Sequence, residues 1–95
     1  MHAVVNTLRF AADVDPALFA DMDDVVAGMR AVPGFVGAHV VQSGVREVVL
    51  VILGDSAEAL DRVATEVGSP WMAEHVVPLL AEPPDRRVGP VLVTA

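Results

Sequence analysis

Few residues of this chain offer chemistry, and two of them stand four positions apart. Trp71 and His75 have helical spacing, so on a helix they would lie on one face and line a pocket together. The indole would supply an apolar wall, and the imidazole would supply a hydrogen-bond donor or a general base. The alternative is that Trp71 fills the core while His75 is a half-exposed polar residue at a helix edge.

Three further side chains are candidates for binding or catalysis. Asn6 stands among apolar, strand-forming residues, where an amide is costly unless it is paired with neighbouring groups, a second copy of the chain or a ligand. His39 alternates with Gly37 and Val41, so it can face a cavity, a dimer seam or the core. Arg9 can meet an anionic group of a substrate, or it can pair with a surface carboxylate for a small gain in stability.

Several kinds of site are excluded or unsupported. The chain has no cysteine, which excludes disulfides, thiolate metal sites and a thiol nucleophile. No serine stands in a G-x-S-x-G elbow, and no glycine-rich phosphate loop follows the first strand-like segment. His2, His39 and His75 are too scattered to predict a metal centre. We therefore expect neither a bound metal nor a cofactor.

The charge balance restricts the partners. Thirteen acidic residues against six arginines give a net charge of −7, which repels a phosphate backbone and an anionic membrane surface alike. We expect no nucleic acid or membrane partner. No apolar run reaches the roughly 18 to 20 residues that span a bilayer, and the start of the chain lacks a signal-peptide pattern, so a cytoplasmic location is expected.

The elements that must position these residues can be read from periodicity and caps. Asp15 before Pro16 predicts the start of a first helix, and Pro33–Gly34 predicts its end. Asp55 or Ser56 caps a second helix, which is broken in two around residues 68–70 because a glycine is followed by a second cap and proline. The apolar segments predict strands over residues 3–10, 35–43, 47–53 and 88–94, with a loop over residues 82–87.

The order strand, helix, strand, strand, helix, strand predicts one α+β domain over residues 1–95. It is a ferredoxin-like four-stranded antiparallel sheet with the helices on one face. Residues 40–41 and 48–53 are apolar at successive positions, so both faces of the sheet need cover. A hydrophobic fraction of 54% also exceeds what the interior of so small a domain can hide. We expect the helix-free face to pack on a second copy, giving a homodimer.

The motifs together resemble a known superfamily. They are the strand asparagine in Val5-Asn6-Thr7, the junction Pro33-Gly34-Phe35-Val36-Gly37, the hairpin that follows, and a late helix with Trp71 and His75. This combination resembles the dimeric α+β barrel superfamily, and within it the antibiotic-biosynthesis-monooxygenase-like domains. The resemblance covers nearly the whole chain. It implies a homodimer in which two sheets form a barrel, with a ligand cavity in each subunit between its helices and its sheet.

The resemblance also implies two activities. Some members are cofactor-independent oxygenases that oxidise polycyclic phenols to quinones. Others degrade haem with a strand asparagine, a tryptophan and an iron-ligating histidine. Asn6 looks like the counterpart of the asparagine, and His75 looks like the counterpart of the histidine. The tryptophan of the haem-degrading members falls where this chain has Thr65, and a tryptophan common at the end of the third strand is replaced by Leu53-Gly54-Asp55.

The expected function is cofactor-independent oxygenation of a hydrophobic aromatic or polyketide-type small molecule. Asn6 and His75 are the predicted catalytic residues, and Trp71, His39 and Arg9 are the predicted substrate-binding residues. The alternative is a non-catalytic dimer that binds an apolar ligand or has a structural role, and haem binding or degradation is a third hypothesis.

Overall fold

The computed structural model describes all 95 residues of the chain. Four strands and three α-helices follow one another with short 3-10 turns and one π-helical segment between them. The strands are β1 His2–Arg9, β2 Phe35–Gly44, β3 Glu47–Gly54 and β4 Asp85–Pro90. The helices are α1 Asp23–Arg30, α2 Ala57–Val63 and α3 Ser69–His75. No helix is long and apolar enough to cross a membrane.

The sheet confirms the ferredoxin-like prediction. Its strand order is β2-β3-β1-β4, and every neighbouring pair is antiparallel. Since side chains alternate between the two faces of a strand, the even-numbered residues of β1 face the helices, and Val4 and Leu8 among them are buried. Asn6 belongs to the same face, and its register partners are Leu50 on β3 and Arg86 on β4.

The first helical segment begins as predicted but does not run as one helix. The Asp15 carboxylate accepts a hydrogen bond from the Ala17 amide at 3.0 Å and caps a single 3-10 turn, Pro16–Phe19. The α-helix proper starts only at Asp23, whose carboxylate and that of Asp24 lie in the first turn, where the helix dipole favours negative charge. The prediction of one continuous helix is thus wrong, because the chain leaves the helical path between Phe19 and Asp23. Phe19, at the end of the 3-10 turn, packs against Trp71.

The second helical segment has the two predicted parts, α2 and α3, but a π-helical segment rather than a break connects them. Ser56 is the cap, because its hydroxyl accepts from the Ala59 amide at 3.1 Å. Contrary to the prediction, the helix does not end at Gly68. Instead a π-helical segment, Ala64–Gly68, connects α2 to α3, and the Ser69 amide donates back to the Ala64 carbonyl. Pro70, which predicts the start of a new helix, lies inside the first turn of α3, where its missing N–H costs nothing.

The last strand lies earlier than predicted. It spans Asp85–Pro90 rather than residues 88–94, so part of the predicted loop is strand. β4 pairs with β1, and the Val91 amide donates to the carbonyl of Met1 at 2.9 Å. Leu92 and Val93, which follow that bond, are almost fully exposed.

The core is small for a chain of this composition. Only 11 of 95 residues are buried, and the accessible surface is 5802 Å², against the roughly 5,200 Å² that size scaling gives for a 10.0 kDa monomer. Two clusters, one centred on Leu8 and Val48 and the other on Met29 and Val63, pack the helices onto one face of the sheet. The opposite face has no helix over it and exposes apolar residues such as Val5 and Val41.

Candidate functional site

A cavity of about 390 Å³ lies between the sheet and the helices. Its floor is formed by the helix-facing residues of the sheet, and its walls come from the 3-10 turn, α1 and the bent second helix. Fifteen of its 21 lining residues are hydrophobic, which favours an apolar occupant. The volume falls within the range of small-molecule sites.

Asn6 is the polar group on the floor of this cavity. Its flanking residues on the same face, Val4 and Leu8, are buried in the core. The side-chain oxygen Oδ1 is also buried and has no hydrogen-bond partner. An unpartnered buried amide oxygen costs free energy, so a strand asparagine at this position indicates a partner that the chain itself does not supply.

Arg86 brings the one charged side chain to the cavity lining. It is the register partner of Asn6 across β1 and β4, so the two Cβ atoms point to the same face at neighbouring positions. The side chain is 38% exposed, and its nearest carboxylate is that of Asp61, with 3.9 Å between Nη2 and Oδ1. This places a loosely paired guanidinium at the mouth of an apolar cavity.

Trp71 and His75 lie on one helix face, as their spacing predicts. The indole lines the cavity and packs between two rings, with centroids 6.1 Å from Phe19 and 5.4 Å from His75. His75 does not belong to the lining; its side chain is 46% exposed, and Nε2 lies 3.8 Å from the Glu74 carboxylate. The structure therefore places Trp71 in the cavity lining, whereas His75 lies outside the lining and contacts the indole.

The other two predicted binding residues lie elsewhere or at the margin. Arg9 is on the helix-free side of β1, where Nη1 donates to Glu82 at 3.1 Å and Nε lies 3.4 Å from Glu47. His39 borders the cavity along β2, but it pairs with Val51, so its side chain belongs to the helix-free face. The structure thus brings together Asn6, Trp71 and the edge of His39, and it does not bring Arg9 to them.

The π-helical segment shapes the wall opposite the sheet. Ala64, Gly68 and Ser69 line the cavity where the helix bends. π-Helical turns insert an extra residue into a helix and are frequent at functional sites. A methyl group at Gly28 on α1 would come within 3.3 Å of Val67, so a small residue on α1 lets this segment approach closely.

The residues present do not fit a histidine-ligated haem in the cavity. His75 stands outside the lining, and the side chain of His39 belongs to the other face of the sheet. No group of three or more His, Asp or Glu side chains is arranged to hold a metal ion. The polar groups that the cavity offers are the Asn6 amide, the Ser69 hydroxyl and the Arg86 guanidinium, which bind organic oxygens better than a metal.

Arg86 was missed because the sequence alone assigned it to a loop. No alternation of apolar and polar residues marks the start of β4 as a strand, because Asp85, Arg86 and Arg87 are all charged. The pairing of β4 with β1 and its register are properties of the folded sheet. Met22 and Met72 also line the cavity. In the sequence they could not be told apart from the other apolar residues of their predicted helices, so nothing indicated that they line a site.

Comparison with solved structures confirms the fold. A structure of Rv0793 from Mycobacterium tuberculosis matches with a TM-score of 0.77 and 26% identity, covering 99% of this chain and 97% of that one. A protein named as a candidate antibiotic biosynthesis monooxygenase from Nitrosomonas europaea matches with a TM-score of 0.75 and 14% identity, over 96% and 89% of the two chains. The chain therefore has the same ferredoxin-like α+β fold as these proteins, with a four-stranded antiparallel sheet and its helices on one face.

Two other matches are more specific about chemistry. SnoaB from Streptomyces nogalater, a cofactor-independent oxygenase, has a TM-score of 0.73 and 18% identity, over 98% of this chain and 94% of that one. A mutant of MhuD with two manganese protoporphyrin IX molecules bound per active site has a TM-score of 0.72 and 21% identity, over 100% and 98%. No family model and no curated protein matches the chain.

Proposed function

We propose that the protein binds a hydrophobic aromatic or polyketide-type molecule between its sheet and helices and oxygenates it without a bound cofactor. The observation that carries this proposal is the Asn6 amide, which makes no hydrogen bond within the chain and lies in a cavity that is otherwise mostly apolar, so that its side-chain N–H groups are free to donate to an anionic oxygen. The fold shared with SnoaB, a cofactor-independent oxygenase, supports the reaction class.

The substrate itself supplies the electrons in such a reaction. For an anthrone-like phenol, the electron-rich anion reduces O₂, and the ring carbon that reacts exchanges its two hydrogens for one oxygen. One oxygen atom becomes the quinone carbonyl, and the other leaves as water. The protein's part is to exclude bulk water, to hold O₂ beside the reacting carbon and to stabilise the anion with a fixed polar group.

The residues contribute in different ways to this proposal. Asn6 is the catalytic residue of this proposal, in which its side-chain N–H groups donate to the anionic oxygen of the substrate. Trp71 forms an aromatic wall against which a planar ligand stacks. His75, predicted as catalytic, is proposed to act through Trp71 by holding the indole from behind, which makes it a positioning residue.

Oxygen uptake tests the proposal. Protein treated with a chelator should consume O₂ when anthrone is added and should form anthraquinone at equal amounts. Asn6→Leu should reduce the rate about tenfold or more, because removal of one anion-stabilising group typically has effects of this size or larger. Thr7→Val is the matched control, since Thr7 is the next residue on β1 and faces away from the helices. Uptake that is equal in Asn6→Leu and in the parent protein would overturn the assignment of Asn6.

A non-catalytic binding protein is the second candidate, and one observation favours it. The side chains that line the cavity include no carboxylate, and both predicted site histidines direct their rings elsewhere. A pure binding protein should show saturable quenching of Trp71 by phenols without O₂ consumption above the uncatalysed rate. Uptake above that rate with any member of an anthrone-like panel excludes this candidate.

Haem binding is the third candidate, and a titration distinguishes it. Since His75 lies outside the cavity, we expect at most a weak Soret shift on addition of haem. His75→Ala should abolish any such shift, whereas Thr65→Ala should leave it. Tight haem binding by the His75→Ala variant would show that another group ligates the iron.

We also propose that the protein is a homodimer with its two helix-free sheet faces in contact. Val5 and Val41 are exposed on this face, next to the partly buried Val49 and Val51 of β3. An apolar sheet surface of this kind is costly in water and is normally covered. The small buried fraction of the chain supports the same conclusion.

A further inference from the structure

We infer that the cavity selects ligands with an ionised oxygen at one end, and that Arg86 is the residue that binds this oxygen beside Asn6. The inference rests on the proposed binding of an apolar molecule in the cavity and names the charge that this molecule carries. Arg86 is thereby a specificity-determining residue for the ligand.

The first observation is the distribution of charge. The protein carries a net charge of −7, yet the one charged residue of the cavity lining is an arginine. The acidic residues that surround the molecule weaken its attraction for anions in general. Arg86 lies at the mouth of the apolar cavity, and its positive charge favours an anionic oxygen at that position of the lining.

The second observation is how weakly Arg86 is engaged by the chain. Its ion pair with Asp61 spans 3.9 Å, which is beyond hydrogen-bond distance, and the Asp61 side chain is 74% exposed. By contrast Arg87, the next residue on β4, lies within 3.3 Å of Asp85 on the helix-free side. The guanidinium of Arg86 therefore keeps its donors free for a second partner, and its planar fork suits an oxygen anion.

The third observation is the geometry of Arg86 with Asn6. As register partners on neighbouring strands they present a cationic donor and an amide side by side, with their side chains on the cavity face. The rest of the lining is mostly apolar, and it includes Trp71. A ligand would thus place its ionised oxygen at the β1–β4 edge of the floor and its ring system under the helices.

Two probes of the same shape test the inference. 2-Naphthoate is ionised at neutral pH, whereas 2-naphthamide is neutral, and both place the same rings in the cavity. We expect calorimetry at low salt to give 2-naphthoate a Kd about tenfold lower than that of 2-naphthamide. A larger ratio is not expected, because 38% exposure of the arginine screens the charge.

Variants on β4 and α2 locate the effect. Arg86→Gln should raise the Kd of 2-naphthoate about tenfold and leave that of 2-naphthamide within about twofold. Arg86→Lys should keep part of the preference, because it keeps the charge but loses the planar fork. Arg87→Gln makes the same change of charge on the opposite face and should alter neither Kd. Asp61→Asn removes the competing carboxylate and should tighten 2-naphthoate binding.

The outcomes separate this inference from the proposed function. If both probes quench Trp71 saturably with equal Kd values, and Arg86→Gln changes neither, the cavity binds apolar molecules and the inference alone is overturned. If neither probe binds the parent protein, cavity binding and the inference both fail. Loss of the preference for 2-naphthoate in Arg87→Gln as well would assign it to general surface charge and would also overturn the role of Arg86.

Discussion

Replacing Asn6 with an apolar residue should increase the stability of the protein and weaken its function. Its buried Oδ1 has no partner, so a leucine at this position removes an unsatisfied polar group and adds apolar contact with Leu8 and Val4. We expect Asn6→Leu to raise the free energy of unfolding by about 1 kcal/mol, measured by urea denaturation, while ligand binding weakens. A destabilised variant would show that the amide has a structural partner.

Trp71 is the second residue whose role a single variant decides. It lines the cavity and is only partly buried, so Trp71→Phe should lower the free energy of unfolding by about 1 kcal/mol or less. The Kd of an aromatic ligand should rise about three- to tenfold, because a smaller ring loses stacking area. Calorimetry must report the binding, since the variant contains no tryptophan. A drop of several kcal/mol with unchanged binding would make Trp71 a core residue and remove it from the site.

At the scale of the elements, two glycines at helix and strand junctions should respond in opposite directions. Gly34 joins α1 to β2 with φ at +88°, and a methyl group there would collide with Asp55 and Ala59. Gly68 ends the π-helical segment with helical φ and ψ, and a methyl group there would have its nearest contact at 3.7 Å, with the Val63 carbonyl. The first glycine is required by its backbone conformation, and the second is not.

We therefore expect Gly34→Ala to lower the free energy of unfolding by more than about 1 kcal/mol. Gly68→Ala should raise it by about 0.5 to 1 kcal/mol, because alanine loses less conformational entropy in a helix than glycine. Urea denaturation of both variants measures the two changes. If Gly68→Ala were destabilising, the bend between α2 and α3 would depend on the glycine itself rather than on the packing of the neighbouring residues.

The whole molecule should be a dimer at micromolar concentration. Its helix-free sheet face is apolar, and covering it requires an interface above the roughly 1,200 Å² of stable pairs. Light scattering should give twice the mass of one chain. Val5→Glu places a charge in the centre of this face and should produce monomers, whereas Val45→Glu, in the exposed hairpin turn, should not. A monomeric parent protein would contradict the two-sheet barrel in solution.

The sequence alone determined the order of strands and helices and, from that order, the ferredoxin-like topology, because the caps and apolar periodicity that mark each element act within a few residues. It did not determine the interruption of the first helix or the bounds of the last strand. Asp15 and Ser56 act as caps through bonds to amides two or three positions away, and Gly34 lets the chain turn from α1 into β2 through its positive φ. The spacing of Trp71 and His75 likewise placed them correctly on one helix face. These local signals do not indicate which face of a strand or helix packs against which neighbouring element.

The tertiary structure decided which polar residues share the cavity. Asn6 and Arg86 meet because β1 and β4, from opposite ends of the chain, pair in one register, and a shift by one residue would present Arg87 instead. The same alternation assigns Arg9 and the His39 ring to the helix-free face, although both looked equally suited to a ligand from the sequence. A strand carries its two faces at every second residue, so only the packing of helices onto one of them determines which side chains form the site.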